Sequence, residues 1–266
     1  MPGKPDLAAL RQQIDAIDEA MHRLLIERGT VISGIAAAKQ DAETGSAFRP
    51  EREASMMRAL AARHDGGLPL AAVEHIWREI IGTFTQKQAA FRVHVAEGEK
   101  PAMRDMARFY FGFATPLVSH ADPNGALDAL EADLDDLALL PMTAVTPWWR
   151  RLGGGLKIIA RYPFFDFPPG IVPAPVLVVG DARIEPPSGP GVFVLECAGD
   201  ADPAAMAGDA ATVLLQAATP EGRSVLLSSE LDGDKLAIAM GLEGEAAGRL
   251  RAVGGYAKAA AAGEAS

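Results

Sequence analysis

The sequence has a single cysteine, Cys197, in 266 residues, so it can build no internal disulfide and no cysteine-based zinc cluster. Its five histidines show no metal-ligand spacing. Aromatic residues are sparse at 6%. Their one conspicuous cluster, Trp148-Trp149-Arg150-Arg151 before Gly153-Gly154-Gly155, reads as packing beside a glycine turn rather than as a stacking or phosphate site. No run of about 18 uncharged apolar residues exists, which excludes a membrane-spanning helix. The opening stretch MPGKPDLAALRQQID carries acids and no apolar core segment, so it does not read as a signal peptide. Positive charge is also short: the formal net charge is −10, against a general nucleic-acid binder. With so little cysteine, the expected compartment is the cytoplasm.

What is present is apolar material, 49% of residues against 23% charged, enough for a sizeable core and against disorder. The length suits two or three domains. Residues 1–92 hold 12 Lys/Arg and 12 Asp/Glu; of the chain's 25 and 35 this leaves 13 and 23 for residues 93–266, which carry the whole excess. The first third is chemically distinct, and a boundary near residue 92 follows.

Residues 7–42 lack proline and place Leu7, Leu10, Ile14, Ile17, Met21, Leu24, Val31, Ile35 and Ala38 at steps of mostly 3 and 4. That spacing predicts one long amphipathic helix, a rod of roughly 54 Å at ~1.5 Å per residue. A unit of ~90 residues cannot cover such a rod itself, so a second copy is the expected cover. A second helix is expected from Pro50 to the stop signal His64-Asp65-Gly66-Gly67, and a third from about Pro69 to Phe91.

Beyond Phe91 the texture becomes α/β, with strands expected at Arg92–Ala96, Pro116–Ser119, Leu137–Pro141, Leu156–Ala160 and Val176–Gly180, and helices at 101–112 and 124–132. From residue 191 a β-α-β-β-α-β order is expected, which is ferredoxin-like. Its strands are placed at Val192–Cys197, Ser224–Leu231, Lys235–Met240 and Val253–Ala257, and its helices at Pro203–Gln216 and Glu243–Leu250. Asp232-Gly233 reads as the hairpin turn between its middle strands. The expected domains are thus 1–91, all-α; 92–182, α/β; and 183–266, ferredoxin-like α+β.

Chemistry points to the helices. Arg28, Ile32, Ile35 and Lys39 share one stripe, so two cations bracket two isoleucines on a face that should be buried. Taken singly, each cation reads as a side chain snorkelling to solvent. Arg11 lies 17 residues before Arg28, ~25 Å along a helix, so only a second, antiparallel copy brings both to one small ligand. On the third helix Gln88 takes a slot of the Trp77, Ile81, Phe84 stripe, where alone it reads as a half-buried cap on the core. Arg52 and Glu53 open the second helix, where alone they are ordinary first-turn charges. Together these residues suit a small, multiply anionic ligand. No nucleophile–base pair accompanies them, which favours catalysis by shape and electrostatics.

The segments Leu10-Arg11-x-x-Ile14-Asp15-x-Ile17-Asp18, Leu24-Leu25-x-Glu27-Arg28, Ala38-Lys39, Pro50-Glu51-Arg52-Glu53 and Glu79-Ile80-Ile81 with Gln88 resemble, in order and spacing over residues 7–91, the all-helical AroQ class of chorismate mutases. The resemblance implies a domain-swapped helical dimer, no cofactor or metal, and rearrangement of chorismate to prephenate in phenylalanine and tyrosine synthesis. It implies that Arg28, with Arg11 of the second chain, holds the two carboxylates, that Lys39 and Gln88 bond the ether oxygen, that Arg52 supports the carboxylate site and that Glu53 takes the ring hydroxyl. Arg49 and Phe84 depart from the residues common in that class. The domain order resembles the bifunctional chorismate mutase–prephenate dehydratases. The α/β part spans about half of a two-lobed dehydratase, and no Thr is followed by Arg, so that family's Thr-Arg-Phe motif is missing. The expectation is a degenerate dehydratase-like segment followed by an ACT-like domain, the latter a possible seat for an amino-acid effector. Three alternatives stay open: an isochorismate pyruvate lyase on the same helical fold, an active bifunctional enzyme, and a regulatory protein with a vestigial site.

Overall fold

The computed structural model describes residues 6–39, 48–96, 102–143, 146–167, 175–199 and 202–261, with the side chains of 36–39 and 261 outside the description. Two compact units are present, Met1–Thr44 and Gly45–Ser266.

The first unit is α1 (Leu7–Lys39), one uninterrupted helix of 33 residues. The periodicity that predicts it is real, but it serves no core of its own: Leu7, Ile14, Ile17, Met21, Leu24 and Val31 are all exposed.

The second unit opens with α2 (Pro50–Arg63) and α3 (Leu70–Gln88). Pro50 sits in the first turn of α2 with Glu51 and Glu53, which suits both the missing proline N–H and the helix dipole. There follow β1 (Val93–Ala96), α4 (Ala102–Phe111), β2 (Leu117–His120), α5 (Pro123–Ala132) and β3 (Leu137–Pro141). Next come β4 (Leu156–Tyr162), the short β5 (Phe165–Asp166) and β6 (Val176–Asp181). The chain continues with β7 (Gly191–Ala198), α6 (Pro203–Ala207), β8 (Thr212–Thr219), β9 (Gly222–Ser229), α7 (Gly233–Ala239), β10 (Leu250–Gly255) and β11 (Ala260–Ala261).

Nine of these strands form one sheet in the order β2-β1-β3-β6-β4-β10-β7-β9-β8, while β5 and β11 pair separately. Strands β2, β1 and β3 run parallel, as their crossover helices require. The remaining neighbours are antiparallel except β4 and β10. The sheet therefore continues through the stretch between 182 and 191 where the sequence places a boundary. Side chains alternate across it with period two. Val93, Val95, Leu137, Leu139, Val176 and Val178 share a core with Met57 and Leu60 of α2, Ile81 of α3 and Met106 of α4. Ala138, Leu140, Leu177 and Val179 face Leu127 and Leu130 of α5 and the buried pair Trp148 and Trp149. Those tryptophans are core, and Trp149 Nε1 donates to Ser224 Oγ at 3.0 Å.

The β-α-β-β-α-β order of the C-terminal part is present, and its strands lie β10-β7-β9-β8, but four of the expected elements are misplaced. The helix expected over Pro203–Gln216 stops at Ala207, where Gly208 turns the chain at φ +48°, and Thr212–Thr219 is strand. The segment Lys235–Met240, expected as strand, lies in and at the end of helix α7. Its apolar residues fit both periods, but Asp232 Oδ1 accepts from Lys235 N at 3.0 Å and caps a helix, burying Leu236 and Met240 and leaving Ile238 78% exposed. Asp232-Gly233 is therefore a helix start, and the hairpin turn is Pro220-Glu221. The helix expected over Glu243–Leu250 shortens to one 3-10 turn, Ala247–Arg249.

Candidate active site

The expected site residues divide between the two units. On α1, Arg11 is exposed and Arg28 half-buried. Because α1 is unbroken, the two lie ~25 Å apart along it. Lys39 ends the helix, and its side chain lies outside the described residues. In the second unit Arg52 is exposed and Glu53, its neighbour in the first turn of α2, is buried. Gln88 is the last residue of α3 and is exposed, its Nε2 donating to Phe84 O at 3.4 Å. It does not cap the core. That place belongs to Gln86, whose Nε2 donates to Phe91 O at 2.6 Å and whose Oε1 accepts from Phe91 N at 3.4 Å.

Glu53 sits in a buried polar cluster that the sequence does not announce. One turn apart on α3, Glu74 and Arg78 face inward, both almost without solvent exposure. The Arg78 guanidinium reaches two carboxylates. Its Nη1 donates to Glu53 Oε2 at 3.0 Å, and its Nε and Nη2 each donate to Glu74 Oε1 at 3.3 Å. The same Nη1 lies 3.4 Å from the hydroxyl of Tyr162, which donates in turn to Glu53 Oε2 at 3.4 Å. Tyr162 comes from the end of β4 and stacks on Tyr110 of α4, with ring centroids 4.2 Å apart and 9° between planes. The guanidinium lies 4.7 Å from the Tyr162 centroid, a cation–π contact that shields it further.

One guanidinium facing two carboxylates leaves an excess negative charge in a buried place. Burial pushes the carboxyl of Glu53 above the usual range, against the pull of Arg78 and the Tyr162 hydrogen bond, and it pushes Glu74 up likewise. Burial opposes the charge on Arg78 as well, but the facing Tyr162, Glu74 and Glu53 outweigh it and the group stays a cation. Burial raises the Tyr110 and Tyr162 phenols, which remain neutral. Glu74 Oε2 and the Tyr110 hydroxyl have no hydrogen-bond partner among the described residues. A small pocket lined by Glu53, Ile81, Gly82, Thr85 and Phe111 adjoins the cluster. Gly82 is required there, since a Cβ would stand 2.1 Å from Phe111 O.

A second polar chain lies across the parallel strands. Asp136 Oδ2 meets His94 Nε2 at 3.0 Å, and His94 Nδ1 meets His120 Nε2 at 2.9 Å. Arg92 clamps Asp136 through its backbone N at 2.6 Å and its Nε at 2.8 Å. Parallel pairing assembles it, because His94 on β1, His120 ending β2 and Asp136 before β3 are distant in sequence. Among the described residues no group of three or more His, Cys, Asp or Glu is arranged to hold a metal ion.

With both clusters located, similarity to known proteins is found in the helical third of the chain and beyond it. The family model for chorismate mutase type II matches residues 10–89. A bifunctional chorismate mutase/prephenate dehydratase of Neisseria gonorrhoeae is 33% identical over 97 residues, covering 30% of this chain and 26% of the relative. A protein of the same description from Pseudomonas aeruginosa is 28% identical over 126 residues, covering 45% and 34%. The matched stretches thus span about a quarter to a third of those relatives. A solved prephenate dehydratase from Streptococcus mutans superposes with a TM-score of 0.42 and 12% identity, over 64% of this chain and 99% of that one.

The mutase-type segment holds all six residues singled out from the sequence, Arg11, Arg28, Lys39, Arg52, Glu53 and Gln88. It also holds Glu74 and Arg78, which sequence reading passed over. Their signal was an acid and an arginine four apart on the Val73, Trp77, Ile81 face, where two charges are affordable only as a pair. Tyr110 and Tyr162 lie outside the segment, and nothing in their local sequence marks them.

Proposed function

We propose that this chain is a chorismate mutase, rearranging chorismate to prephenate. The observation that carries the reading is the match of residues 10–89 to the mutase family with the charged set complete inside it. The chemistry asks only for what those residues supply. Arg28, with Arg11 from a second copy, clamps the two carboxylates and holds the compact conformer in which the reacting carbons meet. Lys39 and Gln88 donate to the ether oxygen, where negative charge grows as the C–O bond breaks. Arg52 supports the carboxylate site, and Glu53 accepts the ring hydroxyl. The step is unimolecular and needs no cofactor.

The second copy is supported by α1, most of whose large apolar side chains from Leu7 to Ile35 are exposed and need a cover. We read the protein as a cytoplasmic homodimer joined through this helix, and light scattering at twice the chain mass tests it. Residues 92–182 and 183–266 we read as a degenerate dehydratase-like segment and an ACT-like unit able to take an amino-acid effector, without dehydratase activity.

The deciding experiment follows the loss of chorismate absorbance with purified protein and identifies the product. Prephenate is the expected product. Pyruvate release from isochorismate, phenylpyruvate from prephenate, or no turnover of chorismate would each replace this reading with a different one.

A further inference from the structure

The buried cluster ties the mutase-type helices to a part of the chain that the mutase family model does not reach. Glu53 and Arg78 lie within residues 10–89, whereas Tyr162 is at the end of β4. The Tyr162 ring is held by two contacts, stacked on the Tyr110 ring with centroids 4.2 Å apart and with the Arg78 guanidinium 4.7 Å from its own centroid. Its ring is almost entirely buried and the strand beneath it is paired with β6 up to Tyr162 itself. Such a hydroxyl has little freedom to point elsewhere, and the carboxylate it meets is the one on which the proposed reaction depends.

We propose that Tyr162 is a positioning residue for the mutase: its hydroxyl and the Arg78 guanidinium together fix Glu53 Oε2, so that the α/β part of the chain completes the helical active site. The inference rests on the mutase reading above. The physical need for a second donor is plain from the neighbourhood. Arg78 is shared with Glu74 of α3, a like charge to Glu53, so Glu53 receives only part of one cation. Tyr110 of α4 is neutral and contributes no charge, and from β4 the further cation Arg161 lines the same small cavity as Glu53 without a hydrogen bond to it among the described residues. Removing the Tyr162 hydroxyl therefore takes away one of the two hydrogen bonds that favour the ionised, correctly aimed carboxylate.

The test is steady-state chorismate kinetics from pH 4.5 to 8 on the full chain, for the wild type, Tyr162→Phe, Glu53→Gln and the double variant. Phenylalanine keeps the ring stack and deletes only the hydroxyl. Tyr162→Phe should lower kcat/KM about tenfold, the worth of one hydrogen bond to a charged group. It should also move the acid limb of the pH profile to higher pH, and it should add nothing on the Glu53→Gln background. A wild type that turns over chorismate, paired with an unchanged acid limb in Tyr162→Phe or with losses that add in full in the double variant, overturns the inference and spares the mutase. A wild type inert toward chorismate removes both.

Discussion

Replacing Arg78 with Met strips away the cation that bridges Glu53 and Glu74 while keeping most of the buried volume. The two carboxylates it serves are 9% and 0% exposed, so neither can turn to water for compensation. Breaking a buried ion pair from one side costs about 3–5 kcal/mol, because it leaves an uncompensated charge inside. Against a typical stability of about 5–15 kcal/mol this is a large fraction. The loss must also depend on pH in a definite direction. Both carboxyls already titrate above their ordinary value of 4.5, so in the native state they hold protons that the unfolded chain has released. The stability they contribute is fully present below about pH 4.5 and is lost as pH rises through the raised values. Without Arg78 those values rise further, so Arg78→Met should lose more at pH 8 than at pH 5. Urea unfolding at the two pH values measures both effects. A loss below about 1 kcal/mol, or an equal loss at both pH values, would refute the assignment of Arg78 as the charge that makes this cluster tolerable.

Arg28→Ala should lower kcat/KM for chorismate by about 30- to 1,000-fold, the loss of a charge-assisted clamp worth ~2–4 kcal/mol in the transition state, and an unchanged value would remove Arg28 from the site. Burial, helped by the neighbouring His94, holds the imidazole of His120 below its ordinary 6.5. The stability it contributes is therefore present above about pH 6.5 and is lost as pH falls below it, so thermal midpoints from pH 8 to 5 should fall more steeply in the wild type than in His120→Gln. Gly82→Ala places a Cβ 2.1 Å from Phe111 O, and overpacking at a backbone contact should cost about 1–3 kcal/mol in denaturant unfolding. Wild-type stability in that variant would mean α3 and α4 can move apart freely.

The helical third was legible because its signals are local. The steps of mostly 3 and 4 through α1, Pro50 opening α2 and the glycine pair after it each specify structure within a few residues. Strands β1, β2, β3, β4 and β6 were legible for the same reason, each being a short apolar run between breakers, whereas the two-residue β5 was not. Around Lys235 that logic failed, since alternating and helical patterns coincide over six residues and the capping bond of Asp232 settles which one forms. Gln88 misled because a slot on a helix stripe is buried only while something packs over it, and α3 ends there.

The sequence by itself determined which charged and polar side chains the three helices carry, and where along them, because the spacing of Arg11, Arg28, Lys39, Arg52, Glu53 and Gln88 is written along the chain. Only the tertiary structure decided what Glu53 touches. Its partners Arg78 and Tyr162 stand 25 and 109 residues away, and their meeting depends on α2 and α3 sharing a core with the sheet that carries β4. No local pattern encodes a contact of that separation. It exists because burying those apolar faces together leaves the inward polar groups no partner but one another.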